Sequence, residues 1–271
     1  MQSLNITILV NQDIASCMAL NHLLKSLNQH RLSVFYSSRV GSKPLCDHLQ
    51  RLKFFEQDFF NSYVFPLQSK LAPEQRGDLQ GFDQIAEILE DRCLPLNNIN
   101  EEAGLDVLAA SSPDLILSIR YGLILKEKAI SIPKLGVLNL HSGRLPEYQG
   151  VMASFRALLN GDTDLGTTLH RIVDAGIDAG PIIERSSLNV RPDKSYFWHV
   201  LALYDAGCDI MAKAVEELAQ GNDLNGEVQS SPGAYYGFPQ EEDCITLEKA
   251  GFKLFEPVEV LELARRFCSL D

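Results

Sequence analysis

Apolar runs and helical spacings alternate along the first half of the chain. Short runs rich in β-branched residues, such as residues 4–10 (LNITILV) and 31–38 (RLSVFYSS), are typical of buried strands. Between these two runs, residues 14–27 repeat apolar side chains at helical spacing behind Asp13, which can cap a helix. The same patterns predict helices over residues 82–93 and 101–112, and strands over residues 93–99, 113–125 and 135–141.

This order of elements predicts an α/β fold with an open, mostly parallel, Rossmann-like sheet that carries helices on both faces. Residues 39–80 show no regular pattern and read as a long excursion. After residue 190 the pattern changes to one long amphipathic helix over residues 196–221 and a loop-rich tail. We therefore expect a main domain over residues 1–190 and a small C-terminal extension over residues 191–271. The long helix could dock on the sheet or form a homodimer interface.

Composition and charge narrow the class of function. A chain of 271 residues with 45% hydrophobic and 22% charged residues can form a soluble globular core. The net charge of −12 disfavours a nucleic-acid-binding surface. No leader and no run of about 20 apolar residues is present, so we expect a cytoplasmic protein without a membrane partner. The six cysteines are scattered without CxxC spacing, which predicts buried free thiols and no metal site.

Residues 138–181 contain the polar side chains that point most clearly to catalysis. Asn139 and His141 alternate with Leu138 and Leu140, so they project from one face of a strand. Ligands bind beyond the carboxyl ends of strands in such sheets, and both residues lie at such an end. An amide and an imidazole there can stabilise an oxyanion and move a proton.

Two aspartates flank the turn in VDAGIDAGP. Turn chemistry accounts for one of them, and we assign the chemical role to Asp178, because a carboxylate can hold an imidazole in one tautomer or keep it charged. His170, within TTLHRIV, fits an edge or surface position. Arg144 in the loop after His141 could bind a phosphate or a carboxylate. No GxGxxG, GxxxxGK[ST], HExxH or GxSxG motif occurs, so NAD use has no support.

The chain resembles the 10-formyltetrahydrofolate-dependent formyltransferase family in three successive segments. They are PDLILSIRYGLILKEKAISIPKLGV, NLHSGRLPEYQG and DAGIDAGP. That family includes methionyl-tRNA formyltransferase, glycinamide ribonucleotide formyltransferase and the sugar N-formyltransferases. The likeness covers residues 85–190 well and the N-terminal third only in its strand-helix pattern. It implies that residues 1–190 are a catalytic domain, that Asn139, His141 and Asp178 are catalytic, and that 10-formyltetrahydrofolate is the formyl donor, without a metal.

The resemblance also implies binding roles. The donor would contact Tyr121, Gly122, Leu123, Leu125, Ile130 and Asp174. The acceptor would contact Ser142, Arg144 and Tyr148. Members of the family more often have His-Pro-Ser-Leu-Leu-Pro or His-Gly-Ser-Leu-Leu-Pro where this chain has HSGRLP at residues 141–146. The chain therefore departs from its relatives on the acceptor side.

The expected function is transfer of a formyl group to a primary amine of a small-molecule acceptor, with a nucleotide-linked amino sugar as the favoured class. Methionyl-tRNA formyltransferase is the alternative, although the acidic chain and the short region after residue 190 argue against tRNA. The glycine-rich N-terminal loop of the glycinamide ribonucleotide enzymes is missing, which argues against that acceptor. Hydrolysis of the folate by water and a non-catalytic folate-binding homologue are further alternatives.

Overall fold

The computed structural model describes residues 2–38, 44–229 and 233–269. Within them the strands are β1 (Asn5–Asn11), β2 (Arg31–Ser37), β3 (Cys93–Pro95), β4 (Leu115–Ile119), β5 (Val137–His141), β6 (Tyr148–Gly150), β7 (Asp164–Leu165), β8 (Thr168–Ile172), β9 (Ile182–Arg185), β10 (Leu188–Asn189) and β11 (Ala234–Tyr236).

Seven of these strands form the central sheet, in the order β3-β2-β1-β4-β5-β8-β9. Strands β1 to β5 are parallel to one another, and β8 runs antiparallel to both β5 and β9. The predicted mostly parallel sheet is therefore confirmed. The carboxyl end of β5 meets the start of β8, because His141 pairs with Thr168 and Asn139 pairs with His170.

Helices cover the sheet and form the C-terminal part of the chain. No helix among the described residues is long and apolar enough to cross a bilayer. The α-helices are α1 (Ile14–Ser26), α2 (Asp47–Lys53), α3 (Phe65–Lys70), α4 (Phe82–Ile88), α5 (Glu102–Ala110), α6 (Glu127–Ile130), α7 (Ala153–Leu159), α8 (Tyr196–Ala219), α9 (Glu241–Lys249) and α10 (Pro257–Arg265).

Two hydrophobic clusters lie on opposite faces of the sheet, which confirms the prediction of helices on both faces. The larger one packs α1 and α8 on side chains such as Leu138 and Leu140. The smaller one packs α5 and α6 on Ile116 and Val137. Since side chains alternate along a strand, Asn139 and His141 share the face of Val137. The candidate catalytic residues therefore extend the smaller cluster towards the carboxyl ends of the strands.

The excursion over residues 39–80 is more regular than expected. Residues 39–43 lie outside the described residues, but residues 47–70 form one helical run in which α2 and α3 are joined by π-helical turns over Phe54–Asp58 and Phe60–Val64. In these turns the N–H of Phe59 bonds to the carbonyl of Phe54, and the N–H of Phe65 bonds to that of Phe60. Each π-turn inserts an extra residue and shifts the apolar positions, which hides the helical period in the sequence.

Two predicted strands are shorter than expected. The apolar run over residues 113–125 forms a strand only over Leu115–Ile119, because Arg120 has a φ of 57° and turns the chain out of the sheet. The run over residues 93–99 contributes only Cys93–Pro95. The residues after Ile119 therefore leave the sheet and form a loop that packs on the smaller hydrophobic cluster.

The long helix α8 packs on the sheet and on α1. A Cβ atom on its Gly207 would lie 2.9 Å from Thr167 Oγ1 and 3.1 Å from Leu140 Cδ2. The absence of a side chain thus allows a close approach of the helix to the strands. The domain boundary at residue 190 stays a prediction. Helix α8 lies after this boundary, but it packs in the same large hydrophobic cluster as the strands before it.

We expect Gly207→Val to lower the free energy of unfolding by about 1–3 kcal/mol relative to Ala206→Val, because valine at 207 would overpack the helix–sheet contact. Ala206 is exposed on the same helix, so it controls for the lower helix propensity of valine. Urea denaturation of both variants measures the difference. Equal destabilisation would contradict the close packing.

Candidate active site

Strands β5 and β8 bring an amide and an imidazole into direct contact. Asn139 lies opposite His170, and its Nδ2 donates a hydrogen bond to His170 Nε2 over 3.0 Å. His170 Nδ1 in turn donates to the carbonyl of Arg171 over 3.0 Å. This contact orients the Asn139 amide so that its second N–H can bind a ligand.

His170 is the main residue that the sequence interpretation misplaced. It was expected at an edge or surface position, but its exposure is only 2%. Strand β8 is an internal strand because β9 pairs with its outer side, and Gly180 packs against its backbone at Arg171. The sequence signal for the burial of His170 was the alternation of Thr168, His170 and Ile172. This alternation could be interpreted only once β8 was known to pair with β5, where these residues lie opposite His141, Asn139 and Val137.

The DAGIDAGP turn places the Asp178 carboxylate between two imidazoles. Its Oδ2 lies 3.4 Å from His141 Nδ1, and its Oδ1 lies 3.5 Å from His170 Nε2. The backbone N–H of Gly150 donates to Oδ2 over 2.9 Å. The backbone of Asp178 has a φ of 51°, a left-handed conformation that costs roughly 1–2 kcal/mol for a non-glycine residue. The surrounding contacts must therefore hold this residue in place.

The pKa of Asp178 reports the balance of these contacts. Burial by itself would raise the pKa of the carboxyl, but the charge of His141, the neighbouring His170 and the Gly150 N–H lower it to about 2. The carboxylate is therefore a fixed negative charge at any physiological pH.

His141 faces acceptors with both of its ring nitrogens. Its Nε2 donates to the carbonyl of Tyr148 over 2.7 Å, and its Nδ1 faces the Asp178 carboxylate. The carbonyl and the carboxylate can each accept an N–H of this ring. The side chain is 7% exposed. The structure thus brings Asn139, His141 and Asp178 together as the sequence predicts.

The C-terminal extension supports the site from outside. Strand β11 pairs with β6, and the carbonyl of Tyr236 approaches Gly150 so closely that a Cβ there would lie 2.3 Å away. Gln229 Nε2 donates to the carbonyls of Asp178 (2.9 Å) and Gly180 (2.8 Å). Neither contact could be identified from the sequence, because β6 and β11 are three-residue strands and Gln229 lies in no motif.

The residues predicted to bind the donor form two groups. Tyr121 donates its hydroxyl proton to the carbonyl of Leu96, and the Gly122 N–H bonds to Ser37 Oγ. Asp174 is exposed, and its carboxylate accepts the N–H of Gly176, a turn contact. The apolar members of the set lie in or against the smaller core cluster: Leu123, Leu125 and Ile130. Their roles towards a folate stay predictions.

The residues predicted to bind the acceptor face different directions. The Tyr148 hydroxyl donates to Asp162 Oδ2 over 2.8 Å, so only the backbone of Tyr148 faces the catalytic residues. Ser142 lies beside the hydroxyl of Tyr204 on α8. Arg144 lines a separate cavity. Within the described ranges no group of three His, Cys, Asp or Glu side chains could hold a metal ion.

Comparison with known proteins identifies related chains. The sequence profile described as "Formyl transferase" matches residues 47–214, which is more than half of the chain. Methionyl-tRNA formyltransferase of Thermotoga maritima is 32% identical over 161 residues, which are 59% of this chain and 51% of that protein. The chain thus spans about half the length of this curated relative.

Solved structures share the fold at low identity. A sugar N-formyltransferase from Shewanella superposes with a TM-score of 0.57 at 12% identity, over 90% of this chain and 87% of the other. Glycinamide ribonucleotide transformylase 1 from Symbiobacterium toebii superposes with a TM-score of 0.58 at 18% identity, over 84% and 95%. The predicted Rossmann-like architecture is therefore confirmed.

The low pKa of Asp178 predicts a pH dependence of stability. The carboxyl titrates at about 2 in the folded chain and near ~3.9 when unfolded, so its ionised form stabilises the fold above about pH 5 and this contribution is lost as the pH falls towards 2. Between these limits we expect the wild type to lose about 2 kcal/mol more stability than Asp178→Asn. Chemical denaturation at several pH values measures it.

The control is Asp223→Asn, which removes an exposed carboxylate instead. Identical pH profiles for the wild type and Asp178→Asn would refute the proposed charge balance around Asp178.

Proposed function

The chain belongs to the formyl transferase family, and on that premise we propose that it transfers the formyl group of 10-formyltetrahydrofolate to a primary amine of a small molecule, with a nucleotide-linked amino sugar as the favoured class. The observation that carries the proposal is the largely buried Asp178 carboxylate, which lies 3.4 Å from Nδ1 of His141, on the strand that also carries Asn139. Such a fixed arrangement of charges and donors is what formyl transfer requires, because the transition state develops an oxyanion.

In the proposed reaction the amine nitrogen attacks the formyl carbon, and a carbon–nitrogen bond forms as the carbonyl electrons move onto oxygen. When the tetrahedral intermediate collapses, the bond to N10 of the folate breaks and a proton passes from the amine to N10. The available N–H of Asn139 would donate to the oxyanion. His141 contributes its positive charge, and a direct Nε2–H bond would require the carbonyl of Tyr148 to move aside when the substrate binds.

Asp178 is better suited to hold a charge than to carry a proton. A group with a pKa of about 2 lies about five pH units below neutrality, where it is a weak base. We therefore assign to Asp178 the role of keeping His141 protonated and in position. Water would carry the proton from the amine to N10 of the folate.

The donor would bind along the loop after β4, next to the smaller core cluster. Exposed apolar side chains flank this region on two loops, Ile124 at 54% exposure and Val173 at 57%. Burying such side chains against the flat pterin ring would be favourable. Tyr121, Gly122, Leu123, Leu125, Ile130 and Asp174 are the residues proposed to form this subsite.

The first βα turn argues against glycinamide ribonucleotide as the acceptor. Asp13 already caps α1 by accepting the N–H of Ser16, and its other oxygen accepts from Asn11 and Arg120. Glu56 adds a second carboxyl 3.8 Å from Arg120. Burial raises the pKa of this carboxyl to about 7, against the lowering effect of Arg120. A phosphate would meet carboxylates here instead of free N–H groups.

The second candidate is formylation of methionyl-tRNA, which the 32% identity with the Thermotoga maritima enzyme supports. The net charge of −12 opposes it, because binding of a nucleic-acid backbone depends on cationic residues. Formylation of methionine-charged initiator tRNA, compared with a panel of amino sugar nucleotides at equal enzyme concentration, separates the two. Activity on the tRNA alone would replace the small-molecule proposal.

We expect His141→Asn and Asp178→Ala each to reduce formyl transfer by about a hundredfold or more, because each removes charge stabilisation of the transition state. The measurement is release of tetrahydrofolate with 10-formyltetrahydrofolate and an accepted amine. His48→Asn, which makes the same change at a histidine paired with Glu241 far along the chain, is the matched control. Rates near the wild type for either site variant would contradict the assignment.

A further inference from the structure

A small basic cavity opens beside the loop that follows the catalytic histidine. It has a volume of about 310 Å³ and is lined by Arg144, Glu147, Arg185, Ser186 and Ser187. Two guanidinium groups lie in this lining with the Glu147 carboxylate and two serines, of which Ser186 already bonds through its hydroxyl to Thr167, in a chain whose net charge is −12. Such a concentration of donors suits an oxyanion.

The cavity is connected to the catalytic strands by the register of the sheet. His141 pairs with Thr168, and Thr168 pairs with Arg185, so all three side chains start from the same face. Two strand spacings of about 4.8 Å separate the backbones of His141 and Arg185 by roughly 10 Å. This separation is within the length of a phosphorylated small molecule.

Hydrogen bonds fix the wall of the cavity to the catalytic loop. Thr168 Oγ1 donates to the carbonyl of Gly143 and accepts from the N–H of Leu145. Arg185 Nε donates to the carbonyl of Leu145 over 3.3 Å. The loop that carries Arg144 is thus held from both sides, so its guanidinium is presented on a fixed backbone.

The lining of the cavity carries two guanidinium groups and one carboxylate. Arg185 pairs with Glu227 over 3.3 Å, on the exposed surface. Arg144 makes no ion pair with any residue in the described parts of the chain. Glu147 is the one lining residue of the wrong sign for an anion, and it is exposed. The N-terminus of α1 is the other place where an anion could bind, but the Asp13 carboxylate already occupies it. The cavity is therefore the better site for an anionic acceptor.

We propose that the cavity between Arg144 and Arg185 binds a phosphoryl group of the acceptor, which places the amine of the same molecule at Asn139 and His141. The inference rests on the proposed formyl transfer. It specifies where the acceptor binds and that the acceptor carries a negatively charged group. It assigns Arg185, Ser186 and Ser187 to acceptor binding, none of which lies in a motif.

The experiment is isothermal titration of the full chain with inorganic pyrophosphate at low salt, which needs no formyl transfer. We expect Arg144→Leu and Arg185→Leu to weaken binding by about tenfold to a hundredfold, since each removes a charge-assisted hydrogen bond. Glu147→Gln should tighten binding severalfold, because it removes a repulsive charge. Arg31→Leu, at an exposed position at the start of β2, makes the same charge change elsewhere and should leave binding unaltered.

Several outcomes would overturn the proposal. They are wild-type binding too weak to measure, equal binding by the wild type and Arg144→Leu, or malonate bound as tightly as pyrophosphate. Circular dichroism of each variant verifies that it is folded, and Arg144→Lys, which retains the charge, should recover part of the affinity.

The failure of this inference can be distinguished from failure of the proposed function. If amino sugar nucleotides are formylated and Arg144→Leu leaves their KM unchanged, the cavity assignment is wrong and the activity stands. If pyrophosphate binds as expected but no amine accepts the formyl group, the binding site stands and the proposed activity is wrong.

Discussion

The ionised carboxylate of Asp178 is the group on which the arrangement of the candidate site depends. A buried carboxylate is stable only when paired charges and hydrogen bonds replace the lost water. Here β5 provides His141, β8 provides His170, and the loop at β6 provides the N–H of Gly150. Three separate segments are therefore fixed relative to one another by a single charge. The left-handed backbone of Asp178 is maintained by the same contacts.

Residues near the C-terminus contribute to this arrangement. The N–H of Gly150 can reach Asp178 only if the loop at β6 is held in place, and β11 does this by pairing with it. Gln229 secures the other side of the turn through the carbonyls of Asp178 and Gly180. Residues more than 50 positions beyond Asp178 thus support the geometry on which His141 depends. Loss of these residues would remove the strand that pairs with β6 and the side chain that holds the carbonyls of the Asp178 turn.

The placement of Asn139 and His141 on strand β5 was predictable from the sequence because alternation is a local property. Leu138 and Leu140 face one core, and that alone sets Asn139 and His141 on the other face. The same reasoning failed for His170, since its burial depends on β9 and on the turn with Gly180, which are set by tertiary pairing. It failed also for residues 47–70, where π-turns change the helical period. Contacts through three-residue strands, such as β6 with β11, leave no periodic signal.

The residues that follow β1 and the cavity lined by Arg144 and Arg185 differ in their electrostatics, and under the proposed function this difference would favour one orientation of an anionic acceptor. At β1, Arg120 is neutralised by Asp13 and lies near Glu56, so no unpaired cation remains for a ligand among these residues. At β9, Arg144 has no acidic partner within the described residues and Arg185 has only an exposed one. An acceptor with a phosphoryl group gains attraction at β9 and repulsion at β1. Under the proposed function its amine, several bonds away from the phosphorus, would then lie over the end of β5, where Asn139 and His141 would stabilise the oxyanion.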